Sequence, residues 1–487
     1  MVDRTASTHR ITRGMAVLLA SCLAAACGSA ITPSATPERS AAAQSVSAQP
    51  SAQTASSSRA PSAAPSTAAA PPTGATIPQP PAPKGVKLAP DSARVDLALP
   101  TFSKPTAITN PLFPVSAQAS VLMLGHVDNM PFRTEVTLLP YTRIIEWNGQ
   151  AIETAVSQYV AYLGGTIQEV AYDHYAQADD GSVWYFGEDV YDFKGGVIVT
   201  TEGTWLAGKD GPPAMIMPGH PKVGDVYRTE NAPGLVFEQV TVRSTDKTLD
   251  GPLGKVEGGL VGRELHADGA TEDKLFAPGY GEFSTVEGGD LEALALAVPT
   301  DALSGSTPPA LTSIETATEL VLRAVRDGRW SRAAAAGRII RSAWASYRMQ
   351  PMPKSLRPLM DRDVAALMRA VARRDGTPAQ KRALDVRQWS LDLQLRYRPV
   401  REIDRARFRL WLQALRADLP ARKPGTVGAD IFALDYIRDR IVYGPDAADA
   451  MTINDQLGVL QVALEDDDFE SMSSATRLLL RTFAGVR

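Results

Sequence analysis

The 487-residue chain has only two cysteines, Cys22 and Cys27, both within its first 27 residues. Everything after them lacks a disulfide, a thiol nucleophile and a thiolate metal site. Histidine is nearly as scarce: His9, His126, His174, His220 and His266, with none beyond. A region with neither residue cannot build a His-ligated haem, a Glu-x-x-His di-iron centre or a zinc site of the usual type. The chain also lacks a Gly-x-Ser-x-Gly elbow, His-Glu-x-x-His, a Walker loop and Gly-x-Gly-x-x-Gly. No cofactor is expected. A non-enzymatic role is favoured over a hydrolase of unfamiliar type.

Net charge is only -4, but it is unevenly spread. Residues 91–310 hold 13 Lys and Arg against 30 Asp and Glu, whereas 311–423 hold 25 against 11. The last stretch, 424–487, holds 5 against 11. An acidic block followed by a basic one reads as two domains, and predicts that the first packs on the second. The arginines of the basic block are spread around helices, so no nucleic-acid partner is expected.

Arg4, Arg10 and Arg13 precede an apolar run from Met15 to Ala26. About 12 residues cannot cross a bilayer core as a helix, which takes about 20, so the run reads as a secretion signal. Leu19-Ala20-Ser21-Cys22 and Ala24-Ala25-Ala26-Cys27 each resemble the lipobox of bacterial lipoprotein signals. Cys27, followed by Gly28-Ser29, is the expected acylation site, with Cys22 as the alternative. The resemblance implies a signal over 1–27, a membrane partner held through lipid, and a location on the outer face of the cytoplasmic membrane. From Ile31 to Pro80, 39 of 50 residues are Ala, Ser, Pro or Thr. Such a stretch cannot bury enough apolar surface to offset its ordering entropy, so 28–90 is expected to be a disordered tether.

Residues 91–305 read as a β domain. Alternating runs recur at Phe132–Leu138, Val156–Leu163, Thr166–Gln177, Ser182–Asp192, Val197–Trp205, Val236–Val242 and Leu291–Val298. Asp180-Gly181 and Gly195-Gly196 supply hairpin turns between them. From Thr312 the period turns helical, as in Val386, Trp389, Leu393 and Tyr397, with Thr377-Pro378 opening that helix. Arg323–Trp330, Arg369–Gly376 and Leu464–Phe469 look like three helix–turn–helix joints. The expected fold class is α+β multidomain: an antiparallel meander, barrel or half-barrel, then a bundle of about seven helices over 311–487.

Three groups are candidate sites. Trp184 and Phe186 share one strand face, with Trp205 nearby, and read first as core and contact with the helical domain, with an apolar ligand cavity as the alternative. Met215, Met217 and His220 offer two thioethers and an imidazole, a soft set suited to Cu(I), against the plainer reading of a strand end and turn. Asp179-Asp180 before Gly181 offers too few oxygens for calcium and reads as a turn. For the arginines of the basic block, a solvated face, i,i+4 pairs such as Asp392–Arg396, or docking against the acidic β domain is expected.

The run from Tyr175 to Asp189, with Asp180-Gly181 before Val183-Trp-Tyr-Phe-Gly-Glu188, resembles an uncharacterised family of secreted bacterial β proteins. Thr201-Glu-Gly-Thr-Trp205, Ile216-Met-Pro218, Val223-Gly-Asp-Val-Tyr227 and Phe276-Ala-Pro-Gly-Tyr-Gly281 extend the likeness over roughly 105–298. Leu391–Pro399 and Ile403–Phe408 look like helical domains of other exported proteins. Neither resemblance brings an activity. The expected function is a lipid-anchored, exported protein binding or presenting an apolar or amphipathic envelope molecule through its β domain. The alternative is a protein-interaction module that uses the helices.

Overall fold

The computed structural model of the chain describes residues 76–127, 129–287, 290–443 and 449–483. Fourteen strands follow one another: β1 Ser120–Val127, β2 Met130–Trp147, β3 Gln150–Leu163, β4 Thr166–Gln177 and β5 Val183–Lys194. Then come β6 Val197–Thr200, β7 Trp205–Leu206, β8 Ala214–Met217, β9 Val226–Ala232 and β10 Val236–Asp250. The last are β11 Lys255–His266, β12 Thr271–Ala277, β13 Gly281–Glu287 and β14 Asp290–Val298. The antiparallel order is β6-β5-β4-β3-β2-β1-β14-β13-β12-β11-β10-β9, with β7 and β8 paired to β5. The hydrogen-bonded path stays open between β6 and β9, so the meander is a half-barrel. It is strongly curled. Tyr175, Tyr185 and Trp184 from β4 and β5 share one core with Tyr227, Val240, Leu260 and Phe276 from β9 to β12.

Eight helices follow: α1 Pro309–Arg326, α2 Trp330–Tyr347, α3 Leu356–Arg373, α4 Gly376–Gln394, α5 Val400–Asp418, α6 Pro424–Ile441, α7 Ala450–Glu465 and α8 Phe469–Thr482. The three joints read from the sequence connect α1 to α2, α3 to α4 and α7 to α8. Helix α4 begins at Gly376 with Asp375 at its N-cap, so Thr377 lies inside the first turn and does not cap it, while Pro378 is a first-turn proline with no amide hydrogen to lose. No described helix is long and apolar enough to cross a membrane.

The end of the proposed tether is packed rather than free. Ile77 is buried, and the Gln79 side chain accepts from Arg94 and Arg228. Thr76 bridges Ala98, and Arg94 bridges Val226 on β9. One isoleucine and one hydrogen-bonding glutamine suffice to dock a stretch whose composition alone reads as coil.

The helices cover the outer face of the sheet. Val160, Tyr162, Val170 and Phe193 pack on Ala429, Ala433 and Tyr436 of α6, and Tyr162 stacks on Trp411 at 5.4 Å. At Gly196 a Cβ would lie 1.8 Å from the carbonyl oxygen of Gly425, so the β5–β6 turn and the start of α6 meet backbone to backbone. Charges are buried at the same interface. Arg133 forks onto Asp392 at 2.8 and 2.9 Å, and Arg407 reaches Asp392 at 2.9 Å and Asp404 at 3.1 Å. Arg440 donates to Glu135 at 2.6 Å. Three guanidinium groups and three carboxylates therefore balance. Asp392 is fully buried here, and Arg396 donates to the carbonyls of Asp301 and Pro351. The Asp392–Arg396 pair allowed by spacing does not form; Asp392 instead meets Arg133 of the sheet, the docking alternative.

Gly187, within the Val-Trp-Tyr-Phe-Gly-Glu run, has φ +118°, and a Cβ there would lie 2.2 Å from the Trp205 carbonyl oxygen. Gly187→Ala is expected to cost at least ~2 kcal/mol through backbone strain and the displacement of β7. Urea unfolding checks this, and a midpoint unchanged from wild type refutes it.

Candidate functional site: a carboxylate-lined interior

The site begins with the pleat. Alternate residues of each strand face the interior of the half-barrel, and on nearly every strand one of them is acidic. Strand β4 supplies Glu169 and Asp173, β5 Glu188, β9 Glu230, β10 Glu238, and β11 Glu264. Strands β12, β13 and β14 add Glu272, Glu282 and Glu292. Registers bring them together: Asp173 lies opposite Glu188, Glu230 opposite Glu238, and Glu264 opposite Glu272. A bulge between β9 and β10, after the Glu230–Glu238 pair, turns Thr229 inward as well. Its hydroxyl lies 3.2 Å from both Glu238 and Glu264.

Two basic side chains join this wall. Lys274 Nζ sits 2.8 Å from Glu264 and 4.0 Å from Glu272. His266 Nδ1 lies 3.4 Å from Glu238. The oxygens of Glu238 and Glu264 and a ring nitrogen of His266 fall within 4.8 Å of one another, close enough to share one metal ion. Glu230 Oε2 is buried and has no hydrogen-bond partner.

Protonation follows from crowding. Burial, then repulsion from Asp192 and Asp173, pushes Glu169 up to about 8. Burial raises Asp173 to about 7 against the hydrogen bond from Tyr185. Burial and the neighbouring Glu238 take Glu264 to about 8, and burial takes Glu292 to about 7. Glu188, Glu230 and Glu282 also rise, chiefly by burial. Glu238 goes the other way. Its burial favours the neutral acid, but Lys274 and His266 hold it well below the usual carboxylate range. Glu238 and Glu264 in turn raise Lys274, and Glu238 raises His266, each against burial. Side chains of β4 and β5 share one packed core with those of β9 to β12, so these walls face one another.

Tyr159, Glu169, Asp173, Glu188, Lys274 and Glu282 are half-buried. One end is aromatic: Tyr175 stacks on Tyr185 at 4.9 Å, and Phe113 meets Tyr175 edge-on at 5.1 Å.

Of the residues singled out from sequence, Trp205 reaches this site, edge-on to Tyr185 at its aromatic end. Trp184, Phe186 and Trp205 are buried in the main core: Trp184 donates to Ser182 Oγ at 2.8 Å, Phe186 meets Phe102 at 5.6 Å, and Trp205 meets Tyr185 at 5.4 Å. Met215 and Met217 are buried in the same core, while His220 is exposed. Asp179 accepts from Thr101 and Ser103, and Asp180 from Ser182, as turn residues do. Cys27 and Cys22 lie outside the described residues. The interior acids were missed, although Glu264-x-His266 and Glu272-x-Lys274 show the period of a strand. Alternating charge on a strand normally marks a solvent face, and here it marks the inside.

Fold and site thus define an open half-barrel with an acidic interior, backed by a helical bundle. No family model, curated protein or solved structure matches the chain.

Proposed function

We propose that this chain is an exported, lipid-anchored binding protein whose half-barrel takes a cation-bearing amphipathic molecule into its acidic interior. One observation carries the reading: nine carboxylates lie on the inner face of the half-barrel, with Lys274 and His266 as the basic side chains among them. Lys274 illustrates the ligand chemistry, because its alkylammonium sits between Glu264 and Glu272 at the end of an apolar stem. The aromatic end, Tyr175 and Tyr185, supports an apolar or cation–π contact beside the charge. The signal-like N-terminus supports placing the protein on the outer face of the cytoplasmic membrane. No catalytic step is part of this reading.

The Glu238–Glu264–His266 cluster favours a second cation, a divalent metal, at the deep end of the same interior. A hydrolase reading draws on the opposite shifts of Glu238 and Glu264. It is weaker, because those two carboxylates are only 8% and 1% exposed and no substrate-sized molecule reaches them in this conformation.

Calorimetric titration of the full chain with spermidine, a long-chain alkylamine and Zn²⁺ tests the proposal. Binding of an amine that Glu169→Gln/Asp173→Gln/Glu188→Gln weakens roughly tenfold or more is expected, since each charge-assisted hydrogen bond is worth about 1.5–3 kcal/mol. Asp173→Asn serves where Asp173→Gln does not fold. Amines and metal that all fail to bind, or that bind the variant equally well, sink it.

A further inference from the structure

A second site of opposite charge lies in the helical bundle. The end of α1, the end of α5 with the turn after it, and the first half of α8 enclose a cleft of about 520 Å³. Arg326, Arg416, Arg422 and Arg477 line it, and Leu419, Pro420 and Phe469 contribute its apolar lining. Glu470 is its one acidic lining residue.

The arginines are poorly neutralised. Arg422 lies 5.0 Å over the Phe469 ring, Arg477 donates to Ser474, and Arg326 has only its neighbour Asp327 at 3.5 Å. Arg416 has no hydrogen bond or ion pair to a protein group among the described residues. Glu319 is the carboxylate that attracts it, but Glu319 is already bound at 2.8 Å by both Arg387 and Arg409. Burial, then the like charge of Arg326, brings the Arg416 guanidinium down to about 10. Like charges held together without a counter-charge cost free energy that a bound anion would recover. Four arginines lining one cleft beside an apolar floor suit a phosphate that carries an organic group, since its several oxygens can accept from more than one guanidinium.

We infer that this cleft binds a phosphate group, either the phosphodiester of an anionic lipid headgroup or a soluble phosphate. The site is independent of the acidic interior and lies on other elements. With the chain held at a membrane, the two sources differ only in where the phosphate resides.

The test uses the full chain carrying Cys22→Ser and Cys27→Ser, so that acylation cannot drive membrane binding. Inorganic phosphate and glycerol phosphate are titrated calorimetrically, and vesicles of phosphatidylcholine, with or without phosphatidylglycerol, are tested by co-sedimentation. Arg326→Glu/Arg477→Glu changes two exposed positions and leaves the packed floor intact; Arg332→Glu, exposed on α2, is the control. Soluble phosphate that binds wild type and the control, and the double variant at least roughly tenfold more weakly, supports the site with a soluble ligand. Recruitment only to phosphatidylglycerol vesicles, lost in the double variant, supports it with a lipid ligand. No binding in either format, or equal binding by the double variant, overturns the inference.

Discussion

Arg407→Ala is expected to destabilise the protein by ~3–5 kcal/mol, more than any surface substitution. The guanidinium is 1% exposed and serves Asp392, Asp404 and Glu135 together, at 2.9, 3.1 and 3.6 Å. Its removal leaves three buried carboxylates facing two remaining guanidinium groups, with no water to screen the excess. The lost contact energy is the smaller part of the effect. The larger part is the desolvation cost of a carboxylate left unpaired. Arg348→Ala is the comparison, since Arg348 meets Asp361 at 2.8 Å with both side chains about 40% exposed. It should cost no more than ~1 kcal/mol. Urea denaturation of both variants checks the contrast, and equal losses would mean that the buried network is not what joins sheet to helices. Changing all six charged groups to apolar residues of similar volume should restore most of the stability, because balanced networks of this kind are close to neutral against a packed apolar core.

The ligand-free protein should lose thermal stability as pH rises from about 4.5 to 8. Glu169, Asp173, Glu264 and Glu292 have folded-state values of about 7 to 8, against roughly 4 to 4.5 when unfolded. Across that window the folded interior holds more protons than the unfolded chain, so each step up in pH favours unfolding. Their contribution is complete below the unfolded values and is lost as pH passes the folded ones. His266, raised by Glu238, acts in the same direction above its unfolded value of about 6.5. Glu238, held low, opposes the trend only on the acid side. Partial solvent access to Glu169 and Asp173 reduces the effect. A fall of roughly 5 °C in Tm between pH 5 and pH 8 is a reasonable floor for a domain of this size. Calorimetric scans across that range check it. A flat profile, or a Tm that rises to pH 8, contradicts the protonation assigned to the interior. A saturating cation should remove the slope, because it takes the place of the protons.

The sequence carried the fold class and the order of regions, because period 2 and period 3.6 are local properties. Phe132–Leu138, Thr166–Gln177 and Leu291–Val298 are strands as their alternation predicts, and the Asp-Gly and Gly-Gly turns fall where glycine takes positive φ. Strands β1, β9, β11, β12 and β13 escaped notice, and in the last four charged residues occupy the alternate positions that apolar ones normally fill. Glu230, Glu264, Glu272 and Glu282 of the candidate site lie on those last four strands, while Glu169, Asp173, Glu188, Glu238 and Glu292 lie on strands the alternation revealed. The acidic surplus of 91–310 was legible as a number, but its place was not. Composition suggested a complement to the basic helices, whereas the buried charge network between sheet and helices holds three guanidinium groups and three carboxylates. Much of the surplus faces the interior. Only the curl of the sheet, which brings β4 and β5 opposite β9 to β12, reveals that. Trp184, Phe186 and Trp205 attracted attention for their size, and size is what a core selects.

Proton release on cation binding tests the central claim most directly. Titrating the full chain at pH 7.5 with the tightest-binding amine, in two buffers of different ionisation enthalpy, gives the number of protons displaced. The acidic interior predicts release of one or more protons per ligand, abolished together with binding in Glu169→Gln/Asp173→Asn/Glu188→Gln. Binding without proton release, or release that survives the triple substitution, would place the cation somewhere other than the interior of the half-barrel.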